Sequence, residues 1–321
     1  MYKENSLGFT IWLAEHKGKI VGQYAIVHIL MNINGRNTVC AQSLNTLTHP
    51  EYRRQGMFET LAKTVFKEAY NKGIHIIYGF PNEKSYPGFV NKLNWFDIAS
   101  LPYMYKTLNW EVILRKRTGN KFVLKLGALS LKIYSNVFHR ISKAPFVSGL
   151  IIRQASSFDE RINEFWDRVS SQFPIAVTKN KDYLQWRYVS VPDKDYYIYL
   201  AEKAGGICGY IVLGYLQQEY KKIALIYDFL TESEAIARCL LQKITGRCQS
   251  DSVDQILCFR EVRKDHYSKA FSRGGSIPLP FGQVLKFIAY SSASNISNEF
   301  LQNPQNWLIQ IGDSDQPKID E

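Results

Sequence analysis

The sequence is poor in the residues that staple a chain or hold a metal. Five cysteines (Cys40, Cys208, Cys239, Cys248 and Cys258) are scattered over 321 residues, odd in number and without a CxxC pair. That argues against a disulfide framework and points to a reduced compartment, so a cytoplasmic protein is expected. The six histidines show no ligand spacing, and no metal site is expected. No apolar run reaches the roughly 18–20 residues that a membrane-spanning helix needs. The opening MYKENSLGFT lacks the basic head and apolar middle of a secretory signal. Two phosphate signatures are missing as well. No Gly-Lys-Ser/Thr follows the glycine of the one phosphate-loop-like junction, at Gly56, and that junction lacks the three spaced glycines of a dinucleotide fold. Both absences argue against ATP with magnesium and against a nicotinamide cofactor.

What remains is the composition of a globular protein long enough for two domains, 45% hydrophobic and 21% charged, with an aromatic share of 14%. The net charge of +11 is concentrated: residues 106–143 carry nine basic residues against the single acid Glu111. The basic balance therefore describes one stretch and not a surface-wide nucleic-acid footprint, and no nucleic-acid partner is expected. Within it Phe122, Leu126, Leu129, Ile133 and Val137 recur every three or four residues, which predicts an amphipathic helix over 121–141. It reads as a linker packed across two domains, or as a basic helix lying on an anionic membrane.

The chain echoes itself. Residues 13–22 read LAEHKGKIVG and residues 200–209 read LAEKAGGICG, the same LAExxGxIxG pattern at an offset of 187. Each is two alternating runs joined at a polar, glycine-bearing turn, the signature of a hairpin. Further on, TVCAQSLNTLTHPEY (38–52) and KIALIYDFLTESEA (222–235) each lead a strand straight into a helix. A long-period repeat of this kind suggests duplicated domains. The second copy is preceded by a strand, LIIRQASSF, and by helical stretches that the first copy lacks. The closing NWLIQIGDSDQP is expected to be a last strand with a polar tail. The aromatic cluster Tyr183, Trp186, Tyr188, Tyr196, Tyr197 and Tyr199 reads as core packing or as a sugar platform.

The two strand–helix junctions differ. In HPEYRRQGMFETL (49–61) Pro50 ends the strand near Thr48, and Met57, Leu61 and Val65 start a helix near Gly56 that runs to about residue 72. Gly56 permits close backbone approach, and Arg53, Arg54 and Gln55 stand at the positive end of the helix dipole. Such a junction suits a diphosphate, although a plain helix start remains open on spacing alone. The second junction has Glu232-Ser233-Glu234, with neither glycine nor cation.

The first junction resembles the coenzyme A pyrophosphate loop of the GNAT acyltransferase superfamily, Arg/Gln-x-x-Gly-x-Gly/Ala, with Arg53, Gly56 and Phe58 in the patterned positions. Phe58 replaces the usual small residue. YGFPNEKSYPGFVNKLNW (78–95) is similar to the second signature of that family, a strand, an Asn and a short aromatic-bearing helix. The resemblance implies an α/β (α+β) fold of two GNAT-like domains, each a mixed, mostly antiparallel twisted sheet flanked by helices. The expected layout is 1–108 for the coenzyme-binding domain, 109–148 for the linker and 149–321 for a degenerate second domain. It further implies acetyl-CoA as co-substrate, bound by Leu47, Thr48, Arg53, Arg54, Gln55, Gly56, Met57, Phe58 and Asn82. The pantetheine arm would pair with strand edge 44–48, and a backbone N–H near Leu47 would meet the oxyanion.

The implied reaction is acetyl transfer to an amine or hydroxyl of a small molecule, with an amino sugar in a bacterial polysaccharide setting suggested by the family. Phe89 falls where many members place a proton-donating tyrosine, which leaves Tyr86 as the nearest replacement. Asn45 is the other substrate-side candidate. Asp228, which echoes Asn45, is a candidate base or an ordinary strand-end carboxylate. Two alternatives stay open: a non-catalytic acyl-CoA-binding protein, and an aminoacyl-tRNA-dependent transferase with tandem GNAT-like folds.

Overall fold

The computed structural model describes residues 5–115, 127, 129–130, 144–192, 194–260, 263, 266–274, 276–278 and 284–314. The expected amphipathic helix over 121–141 lies outside the described residues except at Gly127, Leu129 and Ser130. The first half runs β1 (Phe9–His16), β2 (Lys19–Ile33), β3 (Arg36–Thr48), α1 (Met57–Asn71), β4 (Ile76–Gly79), α2 (Tyr86–Leu93), β5 (Phe96–Thr107) and α3 (Trp110–Arg115). There follow β6 (Ile151–Ala155), α4 (Arg161–Val169), β7 (Ile175–Val177), α5 (Lys181–Tyr188), β8 (Tyr196–Lys203), β9 (Gly206–Gln217) and β10 (Lys222–Thr231). The chain continues with α6 (Glu234–Ser250), β11 (Gln255–Phe259), α7 (His266–Arg273), β12 (Ile277–Pro278), β13 (Val284–Ser291), α8 (Asn298–Gln302) and β14 (Trp307–Leu308).

Both echoing stretches are hairpins, β1–β2 and β8–β9, and both slip register at the same place in the pattern, at Ala14/Glu15 and at Ala201/Glu202. The last glycine of each echo has one purpose. A Cβ on Gly22 would run into the Met57 thioether, and a Cβ on Gly209 would stand 2.8 Å from Thr231 and 3.2 Å from Ile236. Each glycine lets the first turn of a helix, α1 or α6, lie directly on a strand.

One mixed sheet carries the whole chain, in the order β14-β7-β2-β3-β4-β13-β5-β11-β10-β9-β8-β6, with β1 on β2 and β12 on β5. Its centre is built by exchange. Strand β13, from the far end of the chain, lies between β4 and β5, pairing Ile288 with Gly79 and Val284 with Pro102. The last residues of β5 reach the other way: Tyr103–Thr107 pair with β11, and β12 adds beside them.

Helix α1 packs Leu61, Ala62, Val65, Phe66 and Ala69 onto Tyr24, Ile26, Ala41 and Ile77 of β2, β3 and β4. Those positions follow the helical repeat, and full burial of each large member contributes about 1.5–3 kcal/mol. On the opposite face of the sheet Val27, Ile29 and Met31 join Phe165, Trp186 and Trp307 in a core shared between the two halves of the chain. The closing segment departs from expectation. Only Trp307 and Leu308 form a strand; a tight turn over 311–313 follows, and residues 307–314 are buried throughout.

Candidate functional site

Strands β3 and β4 pair in parallel over three positions only, Ala41–Ser43 against Ile77–Gly79. Beyond them β4 stops and β3 continues to Thr48, so the strands part. A bulge widens the gap. Gln23 pairs with Leu47 and Ala25 with Leu44, which leaves Asn45 and Thr46 opposite Tyr24 alone. Asn45 takes a left-handed φ of 51° there, and its carbonyl accepts from Gln23 Nε2 at 2.8 Å. The resulting cleft holds about 240 Å³; Ser43–Thr46 form one wall, Gly79–Asn82 and Ser85 the other, and Phe89, Trp95 and Ile288 close it.

The junction beyond β3 opens at the mouth of this cleft. A single turn over Pro50–Tyr52 redirects the chain, Arg53 Nε donates to the Thr48 carbonyl at 3.3 Å, and Gln55 Nε2 donates to the Glu51 carbonyl at 3.3 Å. Gly56, at φ 79°, precedes α1, and no side chain caps the helix. Its first amides and dipole therefore face solvent beside Arg53 and Arg54, which are exposed and form no ion pair among the described residues. Met57 and Phe58 turn inward: Phe58 meets Phe89 at 5.2 Å and Tyr24 at 6.1 Å between ring centres, and it presses on Gly88. The bulky third position of the loop is thus absorbed by the core.

Asn82 stands across the cleft, where its Oδ1 accepts from the Ser85 amide at 2.8 Å and fixes the approach to α2. Tyr86 does not line the cleft. Its hydroxyl donates to Asp97 at 2.5 Å, and that carboxylate pushes the phenol above its usual pKa.

The second strand–helix junction is closed at every point where the first is open. Ser233 caps α6 by accepting from the Ile236 amide. Strand β10 also slips register, between Ile226 and Asp228, but the Gln310 side chain occupies the edge beyond the slip. It accepts from the Phe229 amide at 2.6 Å and donates to the Phe229 carbonyl at 2.7 Å, as a neighbouring strand would. Asp228 is fully buried, 2.7 Å from Lys179 Nζ, and accepts from Tyr188 and Tyr210 at 2.9 and 2.8 Å. Lys179 also meets Asp313 at 2.5 Å. Burial pulls the Lys179 ammonium down, but the two carboxylates more than offset it and its pKa lies above the ordinary value. Burial in turn raises Asp313. A carboxylate so enclosed is a structural group in this conformation.

The aromatic cluster is packed as well: Tyr188 meets Tyr196 at 5.2 Å and Tyr197 meets Tyr215 at 4.8 Å. Tyr183 and Trp186 also line a second cavity, of about 430 Å³, shared with His28, Asn180, Asp182 and Gln185. Sequence reasoning missed Ser43 and Ile288 as cleft residues. Neither had a signal of its own: Ser43 stands in a strand that already carries Gln42, Asn45 and Thr46, and Ile288 comes from the far end of the chain.

Residues 2–96 match the family model for the acetyltransferase (GNAT) domain. A GCN5-related N-acetyltransferase from Anabaena variabilis superimposes on 87% of this chain with a TM-score of 0.61 at 13% identity. The chain has the GNAT fold. A probable N-acyltransferase from Enterococcus faecalis, a conserved protein of unknown function, covers 88% of the chain at TM-score 0.60 and 12% identity. Saccharomyces cerevisiae N-myristoyltransferase with bound myristoyl-CoA covers 87% at 0.57 and 13%. This chain spans 62%, 62% and 65% of those three GNAT-fold structures, less than two thirds of each. No curated protein matches it. Among the described residues no group of three or more potential ligands could hold a metal ion, and no helix is long and apolar enough to cross a membrane.

Proposed function

We propose that this chain transfers an acyl group from coenzyme A, with acetyl-CoA as donor, to the amine of a small acceptor. The observation that carries the reading is the conjunction at one cleft mouth: an open strand edge over 44–48, a helix start at Gly56 without a side-chain cap, and two exposed arginines that form no ion pair among the described residues. The diphosphate would lie on the first amides of α1 with Arg53 and Arg54. The pantetheine arm would add to the open edge of β3 as an extra strand. A backbone amide of the bulged stretch 44–47 would face the oxyanion, an interaction worth about 3–4 kcal/mol in the barrier of acyl-transfer enzymes.

The chain is then a tandem of two GNAT-like units, of which 149–321 has lost its ligand cleft to its own Gln310. An amino sugar is the proposed acceptor class. The 430 Å³ cavity bears on the part of the acceptor remote from the thioester, where Asp182, Asn180 and Gln185 offer groups for hydroxyls. Ile29 and Leu30 of that cavity lie about five residues along β2 from the bulge, roughly 17 Å. A single ring could not span that distance, so the cavity would hold the distal part of a longer acceptor.

Calorimetric titration with acetyl-CoA tests the reading. One-site binding is expected, and the double variant Arg53→Ala/Arg54→Ala should weaken it by about 10²- to 10⁴-fold, from about 1.5–3 kcal/mol for each of two charge-assisted contacts. Unchanged affinity in that variant would place the diphosphate elsewhere. Binding without release of free coenzyme A in an amine screen would favour a binding protein over an enzyme.

A further inference from the structure

The cleft has lost the hydroxyl that the family pattern leads one to look for, since Phe89 fills that place and Tyr86 is committed to Asp97. Its floor holds another one. Ser43 Oγ lies 3.0 Å from the phenolic oxygen of Tyr24. Tyr24 is fully buried among the rings of Phe58, Phe66 and Phe89, and Ser43 is its one hydrogen-bond partner among the described residues.

A hydroxyl pair can be joined in either direction, because each oxygen can donate or accept. Burial raises the phenol's pKa and keeps it protonated, and a buried O–H with one polar neighbour must donate to it or go unsatisfied. In this structure Ser43 donates to Tyr24, which leaves the phenol hydrogen without a partner among the described residues; an acceptor in the cleft that takes the Ser43 hydrogen lets the pair reverse, with Tyr24 donating to Ser43. Ser43 lines the cleft at the last position where β3 still pairs with β4, opposite Gly79. A Cβ on Gly79 would stand 3.4 Å from both the Ser43 Cβ and the Trp95 ring, so glycine at this point keeps room beside the hydroxyl.

We propose that Ser43 donates its hydroxyl hydrogen to the sulfur of the coenzyme, with Tyr24 as the positioning residue that orients it. The inference rests on the acyl-CoA reading of the cleft. As the tetrahedral intermediate collapses, the carbonyl re-forms and the electron pair of the breaking C–S bond goes to sulfur, where the Ser43 hydrogen bond stabilises the new charge. The proton stays on Ser43, because an alkoxide is a far stronger base than a thiolate. The thiolate takes its proton from the ammonium formed when the acceptor amine attacked, so the reaction balances to amide and free thiol.

The test compares coenzyme A with desulfo-coenzyme A, which lacks only the sulfur, by calorimetry on the full chain at pH 8. Wild type should bind coenzyme A at least fivefold more tightly. Ser43→Ala should erase that preference while leaving desulfo-coenzyme A affinity unchanged, which also shows that the variant is folded. Tyr24→Phe should reduce the preference, since the serine loses its anchor. An undiminished preference in Ser43→Ala, or an equal loss of both ligands, overturns the role in sulfur recognition. Failure of wild type to bind either ligand would instead overturn the coenzyme reading itself.

Discussion

Gly56 and Ser233 begin helices α1 and α6 in opposite ways: Gly56 leaves the first amides of its helix open, whereas the Ser233 hydroxyl closes those of the other. The two positions should separate binding from stability. Ser233→Ala should lower the unfolding free energy by ~1 kcal/mol, the usual worth of a helix cap, without changing acetyl-CoA affinity. Gly56→Val meets no atom within 4 Å but forces a β-branched residue to φ 79°, which distorts the loop. It should weaken acetyl-CoA by tenfold or more, and paired calorimetry and urea titrations would report both effects.

The buried cluster of Lys179, Asp228 and Asp313 makes a strong stability prediction. Lys179→Met leaves two carboxylates enclosed without a cation, and removal of one partner from such a group costs about 3–5 kcal/mol. The pH dependence has a definite sign. The folded pKa of Lys179 is raised above its unfolded value, so the native state holds the proton longer. Its stabilisation is complete below the unfolded pKa of about 10.4 and is lost as pH climbs through the higher folded value. The urea midpoint of wild type should fall over that alkaline range, and the slope should shrink in Lys179→Met.

Lys106 behaves in the opposite sense. Its ammonium is largely buried beside Ile226, Leu241 and Ile256, with Thr245 Oγ1 at 3.2 Å, and burial lowers its pKa to about 8. Between that value and about 10.4 the unfolded chain binds more protons than the native one, so this group's contribution to stability rises with pH. Lys106→Met should stabilise the protein at pH 7 by ~1–3 kcal/mol, and the difference should close by pH 10.5. Thermal denaturation at the two pH values checks it; a destabilised variant at pH 7 would contradict the burial cost.

Local features of this chain were legible in its sequence, and features made by distant pairing were not. The hairpins, the end of β3 at Thr48, helix α1 and the bare junction at Gly56 are set by residues a few positions apart, where periodicity and turn chemistry act. Tyr86 was legible as a hydroxyl near the cleft, but which side of α2 it occupies depends on Asp97 in the next strand. Asp228 looked like a strand-end acid because nothing near it in sequence announces Lys179, 49 residues away. The closing segment read as a strand with a polar tail. Its polar residues instead serve the interior, since Gln310 satisfies Phe229 and Asp313 satisfies Lys179. The two matching hairpins could be read from an echo of ten residues, but not which strands the two halves of the chain exchange.

That exchange makes the last prediction. The floor of the cleft includes Ile288, whose strand β13 enters between β4 and β5 from nearly two hundred residues away. A fragment of residues 1–108 keeps every residue of the candidate coenzyme loop but lacks β13. It would expose the facing edges of β4 and β5 and the apolar side chains that Ile288 covers, among them Phe89 and Trp95. The fragment should therefore aggregate or show no dispersed amide spectrum, and it should not bind acetyl-CoA. Within the full chain, Ile288→Ala should cost about 2–5 kcal/mol as a core truncation and loosen the cleft that Ile288 lines. Acetyl-CoA affinity in that variant should fall less than in Arg53→Ala/Arg54→Ala, because the proposed diphosphate contacts are untouched. A soluble 1–108 fragment with full affinity would show that the first half completes its own cleft, and that the exchanged strand supports stability alone.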